Sequence, residues 1–216
     1  MLTGKLEKVG VIGLGIIGSR IAENLRRADK HVYVWSRTPK AEPNFMGSPN
    51  EVADNSEAIQ IFVSNGEALL EVVERMESVL DRGHLVLNHS TVDLDSTRKA
   101  AKIVHGTGAG FLDCPFTGSK LAAEKNQLTY YVGGEPQVLE RAKPLLELTS
   151  KEILEVGDVG DATVLKIATN MISAATVQVL SEALAVTETH GVSGEKLMEA
   201  IDLNACCSQL VKMKLP

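Results

Sequence analysis

A glycine-rich turn near the N-terminus restricts the possible fold more than any other feature of this 216-residue sequence. Residues 8–13, KVGVIG, have the apolar pattern of a short buried strand, and a helix-like segment begins after Gly15. Gly13, Gly15 and Gly18 form the spacing G-x-G-x-x-G between the two. Such glycines can serve a tight turn alone. Their place between strand and helix favours dinucleotide binding, because the first permits the turn, the second admits a pyrophosphate and the third lets the helix pack on the strand.

Strands and helices alternate along the chain as far as about residue 160. The predicted strands after the first are residues 31–35, 44–46, 60–64, 84–90, 111–114, 128–134 and 151–157. Alternation of this kind predicts an α/β fold with a doubly wound, mostly parallel, Rossmann-type sheet. From Asp161 only helical patterns remain, over residues 161–190 and 194–214. We therefore predict a nucleotide-binding domain, residues 1–160, followed by an all-helical C-terminal domain, residues 161–216, which a long interdomain helix opens.

One connection in the predicted sheet is unusually short. Only SRTPKAEP separates the strand that ends at Trp35 from the strand predicted at residues 44–46. A parallel crossover normally takes a dozen or more residues, usually a helix, and two prolines leave no room for one here. We expect this corner of the sheet to be short or irregular.

The composition argues against several classes of function. A net charge of −6 does not provide the basic face that nucleic-acid binding requires. The longest uncharged stretch, residues 167–181, is too short to span a bilayer comfortably, and the N-terminus has no apolar signal segment. The cysteines, Cys114, Cys206 and Cys207, have neither metal-binding spacing nor the even number of a disulfide framework. We expect a cytoplasmic protein that binds no metal, membrane or nucleic acid.

The end of the second predicted strand indicates which dinucleotide is bound. NAD sites usually place an Asp or Glu there, on the ribose hydroxyl, whereas this chain has Ser36, Arg37 and Thr38 after Trp35. Arg37 could pair with a 2′-phosphate, and the two hydroxyls could donate to it. The alternative is a solvated arginine in a turn. The missing acid favours NADP(H).

Three further stretches lie at the carboxyl ends of predicted strands, where open α/β sheets place ligands. Ser90 and Thr91 could bind a small anion or cap a helix. The turn 117–119, Thr-Gly-Ser, could present backbone N–H groups to an anion or be an ordinary loop. The third stretch is the apolar helix after the last strand, which carries a polar stripe. Its members are spaced by three or four residues: Thr163, Lys166, Asn170 and Ser173. A lone lysine on a helix is usually solvated, but one beside an asparagine in a nucleotide-binding fold indicates an active site.

These stretches resemble the β-hydroxyacid dehydrogenase family, which includes the 3-hydroxyisobutyrate dehydrogenases. The resemblance covers essentially the whole chain, through VGVIGLGIIGSRIAENL, VWSRTP, NHSTV, FLDCPFTGSKLAAEKNQLTYYVGG and GDVGDATVLKIATNM. The stretch TGSKLAAEKNQL is most similar to the glyoxylate/succinic semialdehyde reductase branch. By this resemblance Lys166 is the catalytic acid/base, Asn170 supports the substrate, and Ser90 with Thr117, Gly118 and Ser119 contacts its carboxylate. The predicted cofactor-binding residues are Gly13, Leu14, Gly15, Ile16, Ile17, Gly18, Ser36, Arg37, Thr38, Asn65 and Thr91.

The sequence also departs from the family pattern. Thr117 replaces the usual serine, and Ala162 replaces a second glycine before the long helix. His89, before Ser90, has no predicted role beyond packing. Family members continue with further helices beyond LVKMKLP, so the helical domain is expected to be partial.

The sequence therefore predicts an NADPH-dependent oxidoreductase that reversibly reduces a small aldehyde acid, of the glyoxylate or succinic semialdehyde type, to the hydroxy acid. One alternative is an imine reductase on the same scaffold, against which the retention of Lys166 speaks. Another is a non-catalytic nucleotide-binding module, because the helical domain is partial. Residues 161–190 are apolar on several faces, and residues 194–214 are too few to cover them. A homodimer or a higher homo-oligomer is therefore expected, and the alternative is that the further helices of the family cover this surface in cis.

Overall fold

The computed structural model describes residues 6–204 and residue 211. Eight strands lie in one sheet: β1 Lys8–Ile12, β2 His31–Trp35, β3 Ala58–Ile61, β4 Leu85–Asn88, β5 Gly110–Asp113, β6 Phe116–Thr117, β7 Leu128–Gly134 and β8 Ser150–Gly157. Eight helices are defined within residues 6–204: α1 Gly18–Arg27, α2 Pro49–Asp54, α3 Gly66–Met76, α4 Leu94–Gly106, α5 Lys120–Glu124, α6 Pro136–Leu146, α7 Asp161–Thr189 and α8 Gly194–Asp202.

The sheet has the order of a doubly wound nucleotide-binding fold. β1 pairs in parallel with both β2 and β3, and the parallel series continues through β4 to β5. β7 then reverses direction, because it is antiparallel to β5 and β6 but parallel to β8. The predicted α/β class, with its mostly parallel Rossmann-type sheet and helical C-terminal segment, is confirmed.

The central strands are apolar because helices cover both faces of the sheet. Every residue of β3 and of β4 is buried, which explains their nearly continuous hydrophobic runs. One core includes Ile21 and Leu25 of α1, and the core on the opposite face includes Val72 and Val73 of α3. The sheet is thereby fixed, and its carboxyl edge can carry the loops that follow β1, β3, β4 and β5.

Two regions differ from the predicted element pattern. The strand predicted at residues 44–46 is only an isolated parallel bridge between Val34 and Phe45, so that prediction was wrong, although the connection is short and irregular as expected. β6 and α5 were not predicted at all. Both are very short, and neither spans enough residues to give a clear apolar period.

The chain divides into two compact units, Met1–Lys166 and Ile167–Pro216. Helix α7 begins and ends within one residue of its predicted bounds. In the second unit, α7 exposes large apolar side chains, among them Met171, Ile172 and Val179. By length and composition alone α7 could cross a membrane, a test that core helices of soluble proteins also pass. The predicted continuation of α8 to residue 214 falls almost entirely outside the described residues, as do Cys206 and Cys207.

Candidate active site

The turn at residues 13–18, called the phosphate loop from here on, is fixed by backbone contacts that exclude side chains. Gly13 has φ +96°, and a Cβ there would lie 2.0 Å from the carbonyl oxygen of Phe62. A Cβ on Gly18 would lie 2.0 Å from the carbonyl oxygen of Gly13. The N–H of Gly13 donates to the carbonyl of Trp35 at 2.8 Å. The first and third glycines are therefore required by the fold itself.

The second glycine has a different environment. Gly15 is exposed, and no described atom lies within 4 Å of the position of its Cβ. Helix α1, which follows, has no side-chain cap within the described structure and no acidic residue in its first turn. A helix N-terminus that no side chain satisfies favours an anionic group. Open space beside Gly15 and a helix N-terminus without a side-chain cap fit a dinucleotide pyrophosphate, and the assignment of these residues to the cofactor stays a prediction.

The corner after β2 carries two cations. Arg37 is exposed, and its guanidinium has no hydrogen-bond or ion-pair partner within residues 6–204 and 211. Lys40, which the sequence analysis missed, donates from Nζ to the carbonyl of Leu14 in the phosphate loop. The Ser36 hydroxyl donates to the Thr38 carbonyl at 2.7 Å. The lysine was detectable as a second cation three residues after Arg37, but only the fold shows that it reaches the loop.

The other two predicted cofactor residues lie at the ends of two neighbouring strands. Asn65 caps α3, where its side-chain oxygen accepts a hydrogen bond from the N–H of Ala68 at 2.9 Å. This bond occupies the oxygen of the amide. Thr91 is exposed after β4. Their assignment to the cofactor stays a prediction.

On the substrate side, Ser90 is turned inward. Ser90 is buried, with only 3% of its surface exposed. The hydroxyl accepts from the N–H of Val63 at 2.9 Å and is 3.3 Å from the carbonyl of Ile61, to which it donates. The predicted contact with a substrate carboxylate would require the hydroxyl to leave these partners, and it stays a prediction.

The turn predicted to bind the substrate carboxylate, residues 117–119, lies on the surface between β6 and α5. Thr117 ends β6, and Gly118 has φ +138°, a conformation that favours glycine. Ser119 caps α5 by accepting from the N–H of Ala122 at 3.3 Å. Gly118 and Ser119 are exposed, so the backbone of this turn is accessible to a small anion.

Asp113 holds the first turn of α7 in place. Its buried carboxylate accepts hydrogen bonds from the N–H of Thr163 at 2.8 Å, the Thr163 hydroxyl at 2.9 Å and the N–H of Gly160 at 3.2 Å. Burial raises the pKa of Asp113 above its ordinary value, and the bonds from Thr163 and Gly160 oppose that rise. An acid at the end of a strand was visible in the sequence. Its partners, about fifty residues later, were not.

Lys166 follows that anchored turn by three residues. It is half-buried, and burial lowers the pKa of its ammonium group below the ordinary value. Of the polar stripe on α7, Thr163 bonds to Asp113 and the Ser173 hydroxyl donates to the carbonyl of Thr169 at 3.0 Å. Asn170, one turn after Lys166 in sequence, is exposed and belongs to the second unit. Thr163 thus anchors the helix and Ser173 bonds within it, while the roles of Lys166 and Asn170 stay predictions.

The chain is similar in sequence to a family of dehydrogenases and to two plant reductases. A family model described as the NAD binding domain of 6-phosphogluconate dehydrogenase matches residues 8–157. Glyoxylate/succinic semialdehyde reductase 2 of Arabidopsis thaliana, a chloroplastic protein, is 29% identical over 96% of this chain and 61% of its own length. Glyoxylate/succinic semialdehyde reductase 1 of the same plant is 30% identical over 97% of this chain and 76% of its own length. The chain therefore spans about three fifths to three quarters of these two relatives.

The fold also resembles that of solved dehydrogenase structures. A 3-hydroxyisobutyrate dehydrogenase of Mycobacterium tuberculosis, solved with L-serine, superposes with a TM-score of 0.88. The match covers 95% of this chain and 73% of that chain, at 23% sequence identity. At this identity the likeness concerns the fold alone.

Proposed function

The chain belongs to the β-hydroxyacid dehydrogenase family, and on that premise we propose that it is an NADPH-dependent reductase of small aldehyde acids, of the glyoxylate or succinic semialdehyde type. The observation that carries the proposal is Lys166, a half-buried lysine with a lowered pKa directly after the anchored start of α7. The two plant reductases support this choice of substrate class.

The residues that would hold the cofactor are those of the phosphate loop together with Arg37 and Lys40. The loop offers backbone N–H groups and the open space beside Gly15 to a pyrophosphate. Arg37 and Lys40 provide positive charge where an NAD site would have an acid. NADPH, when bound, supplies the hydride for carbonyl reduction.

Lys166 acts as the general acid in the proposed reduction. Negative charge develops on the aldehyde oxygen, so a proton donor within hydrogen-bond reach lowers the barrier. An unperturbed lysine is a weak acid, and burial that lowers its pKa brings proton release closer to neutral pH. In the reverse direction the neutral amine takes the hydroxyl proton. The backbone N–H groups of the turn Thr117–Ser119 bind the substrate carboxylate, and Asn170 supports the substrate without adding charge.

A substrate panel tests the proposal against its two rivals. Purified protein is mixed with NADPH and, in turn, glyoxylate, succinic semialdehyde and a cyclic imine, and the loss of absorbance at the nicotinamide is followed. Turnover of an aldehyde acid is the expected result. Turnover of the imine alone would favour an imine reductase, and NADPH binding without turnover of any substrate would favour a non-catalytic module.

The choice of NADP over NAD is tested with the Arg37→Ala variant. A charge-assisted bond to a phosphate is worth about 1.5–3 kcal/mol, so NADP⁺ should bind roughly 10- to 100-fold more weakly. NAD⁺ binding should change little, because NAD⁺ has no 2′-phosphate. Trp35, the sole tryptophan, precedes this corner and supplies a fluorescence signal for both titrations. An equal loss for both cofactors would contradict the assignment.

Homo-oligomerisation is also part of the proposal. Met171, Ile172 and Val179 in α7 are each more than 60% exposed, and apolar surface of this extent favours a partner subunit. Sedimentation of the 216-residue chain should give a dimer or a larger species, whereas a well-folded monomer at micromolar concentration would refute this part. A cytoplasmic location stays a prediction.

A further inference from the structure

We propose that His89 is a positioning residue for the substrate loop, residues 114–119, which it holds through a hydrogen bond from its ring to the carbonyl of Cys114. The inference rests on the proposed function, because that function gives the loop its role in binding the substrate carboxylate. Nothing in the sequence distinguished this histidine from a packing residue.

The hydrogen bond lies where a strand ends. His89 follows β4, and its backbone N–H donates to the carbonyl of Ile61 at 3.0 Å. Its ring Nδ1 lies 2.8 Å from the carbonyl oxygen of Cys114, directly after β5. A carbonyl oxygen only accepts, so Nδ1 carries the proton. The histidine therefore supplies a donor to the carbonyl of the first residue of the substrate loop.

Aromatic rings on two sides fix the orientation of the imidazole. Phe62 stacks on it with 4.7 Å between ring centroids and 15° between planes. Tyr130 lies at 4.9 Å with an interplanar angle of 43°. Phe62 also lies 6.3 Å from Phe116 of the substrate loop, and its backbone packs against Gly13 of the phosphate loop. The ring therefore cannot turn away from Cys114 without disturbing neighbours of both loops.

The other ring nitrogen shows what the histidine contributes. Nε2 is buried and has no hydrogen-bond partner within the described structure. A buried acceptor without a partner is unfavourable, and a phenylalanine of similar shape would pack here without that cost. The Nδ1 proton is therefore what a histidine supplies at this position and a phenylalanine cannot. Burial lowers the pKa of His89 to about 4, so the ring is neutral near pH 7.

The N–H of Cys114 donates to the carbonyl of Asn88 at 2.8 Å, and the carbonyl of Pro115 accepts from Tyr131 at 2.9 Å. Loss of the His89 donor therefore frees the Cys114 carbonyl and loosens the start of the loop without releasing these other bonds. The backbone of the turn 117–119 would then be held less firmly in the position proposed for binding a substrate carboxylate. Because Lys166 lies on another element, α7, the proton-transfer step would be affected less. Loss of the bond should therefore raise KM for the aldehyde acid more than it lowers kcat.

Two variants separate positioning from packing. His89→Phe keeps a ring between Phe62 and Tyr130 but has no donor. His89→Asn loses the ring but places an amide N–H near the position of Nδ1. The phenylalanine variant should raise KM about 3- to 10-fold, the usual worth of a neutral hydrogen bond, with kcat changed less than about twofold. The asparagine variant should recover most of the wild-type KM although its melting temperature is lower.

Hydrogen–deuterium exchange on the full chain without substrate provides a readout besides activity. Amides of residues 116–119 should exchange faster in His89→Phe than in the wild type, and His89→Asn should return toward the wild type. A purely structural role predicts the opposite ranking, with the phenylalanine variant closest to the wild type, and that result would overturn the proposal. If the wild type reduces no aldehyde acid, the proposed function fails, and the exchange measurement still decides whether His89 positions the loop.

Discussion

The phosphate loop and the substrate side differ in what holds them in place. The phosphate loop is shaped by its own backbone, with glycines where a Cβ would collide and open space beside Gly15. On the substrate side, polar side chains with partners inside the protein hold the segments around the proposed site. Ser90 bonds to the backbone of β3 and the residues after it, Asp113 bonds to α7, and His89 bonds to Cys114.

This difference explains why the two halves of the site differ in how well sequence predicts them. A site formed by backbone groups requires positions without side chains, and the spacing of three glycines shows that requirement in the sequence. A polar residue in the sequence shows only that it can form hydrogen bonds, and it does not show with which partner. Whether Ser90 serves a substrate or the N–H of Val63 depends on which group the fold brings near it.

The largest expected effect is a loss of kcat, without a loss of cofactor binding, when Lys166 is replaced. Replacement by alanine should lower kcat by roughly 10²–10⁴-fold, the usual worth of a positioned proton donor. NADPH binding, measured by Trp35 fluorescence, should stay nearly intact because the phosphate loop is unchanged. Lys166→Arg should not restore kcat, since a guanidinium hardly releases its proton. A near-normal kcat in the alanine variant would show that Lys166 is not the proton donor.

The second effect concerns pH and the buried side chains of the substrate side. The pKa of His89 falls from an ordinary 6.5 to about 4 in the folded state. The depressed pKa contributes stability that is complete above pH 6.5 and is lost as the pH falls toward 4, by about 3 kcal/mol. Urea unfolding between pH 4 and 7 measures this loss.

The raised pKa of Asp113 acts in the opposite direction at low pH, so the wild-type curve alone is ambiguous. His89→Phe is the matched control, because it removes the contribution of His89 and leaves that of Asp113. The difference between the unfolding free energies of the wild type and of His89→Phe should therefore fall as the pH is lowered from 7 to 4. Parallel curves would mean that His89 does not titrate as its burial requires.

A third measurement tests the anchor of α7. Thr163→Val removes the hydroxyl that donates to Asp113 and keeps the shape of the side chain. Because hydrogen bonds to charged groups contribute about 1.5–3 kcal/mol, the free energy of unfolding should fall by that amount. Thr163→Ser retains the hydroxyl and should lose clearly less. An unchanged free energy of unfolding in Thr163→Val would show that the hydroxyl bond to Asp113 does not stabilise this anchor.

The smallest expected effect tests the phosphate loop itself. Gly15→Ala should leave the fold intact, because no described atom lies within 4 Å of the new Cβ. The methyl group enters the space that a pyrophosphate needs, so NADPH affinity should fall about tenfold, which corresponds to about 1.4 kcal/mol. Gly106→Ala, at an equally open position on α4, is the matched control. If both variants bind NADPH like the wild type, the opening beside Gly15 is not the pyrophosphate site.

The sequence alone determined the elements whose cause is local. Alternating apolar strands and helices predicted the sheet, and the bounds of α7 were predicted within one residue, because apolar period and glycine breakers act over neighbouring residues. Its polar stripe singled out Lys166. The short elements β6 and α5 were missed, since a few residues carry no period.

Only the tertiary structure decided which polar groups meet. Asp113 and Thr163 are fifty residues apart, and His89 and Cys114 are twenty-five apart, yet each pair lies within hydrogen-bond distance. Lys40 reaches the phosphate loop in the same way. Hydrogen bonds depend on distances of a few ångströms between atoms, and parallel strands bring the ends of distant segments to one edge of the sheet. The sequence therefore supplied the chemical groups of this site, and the sheet determined their partners.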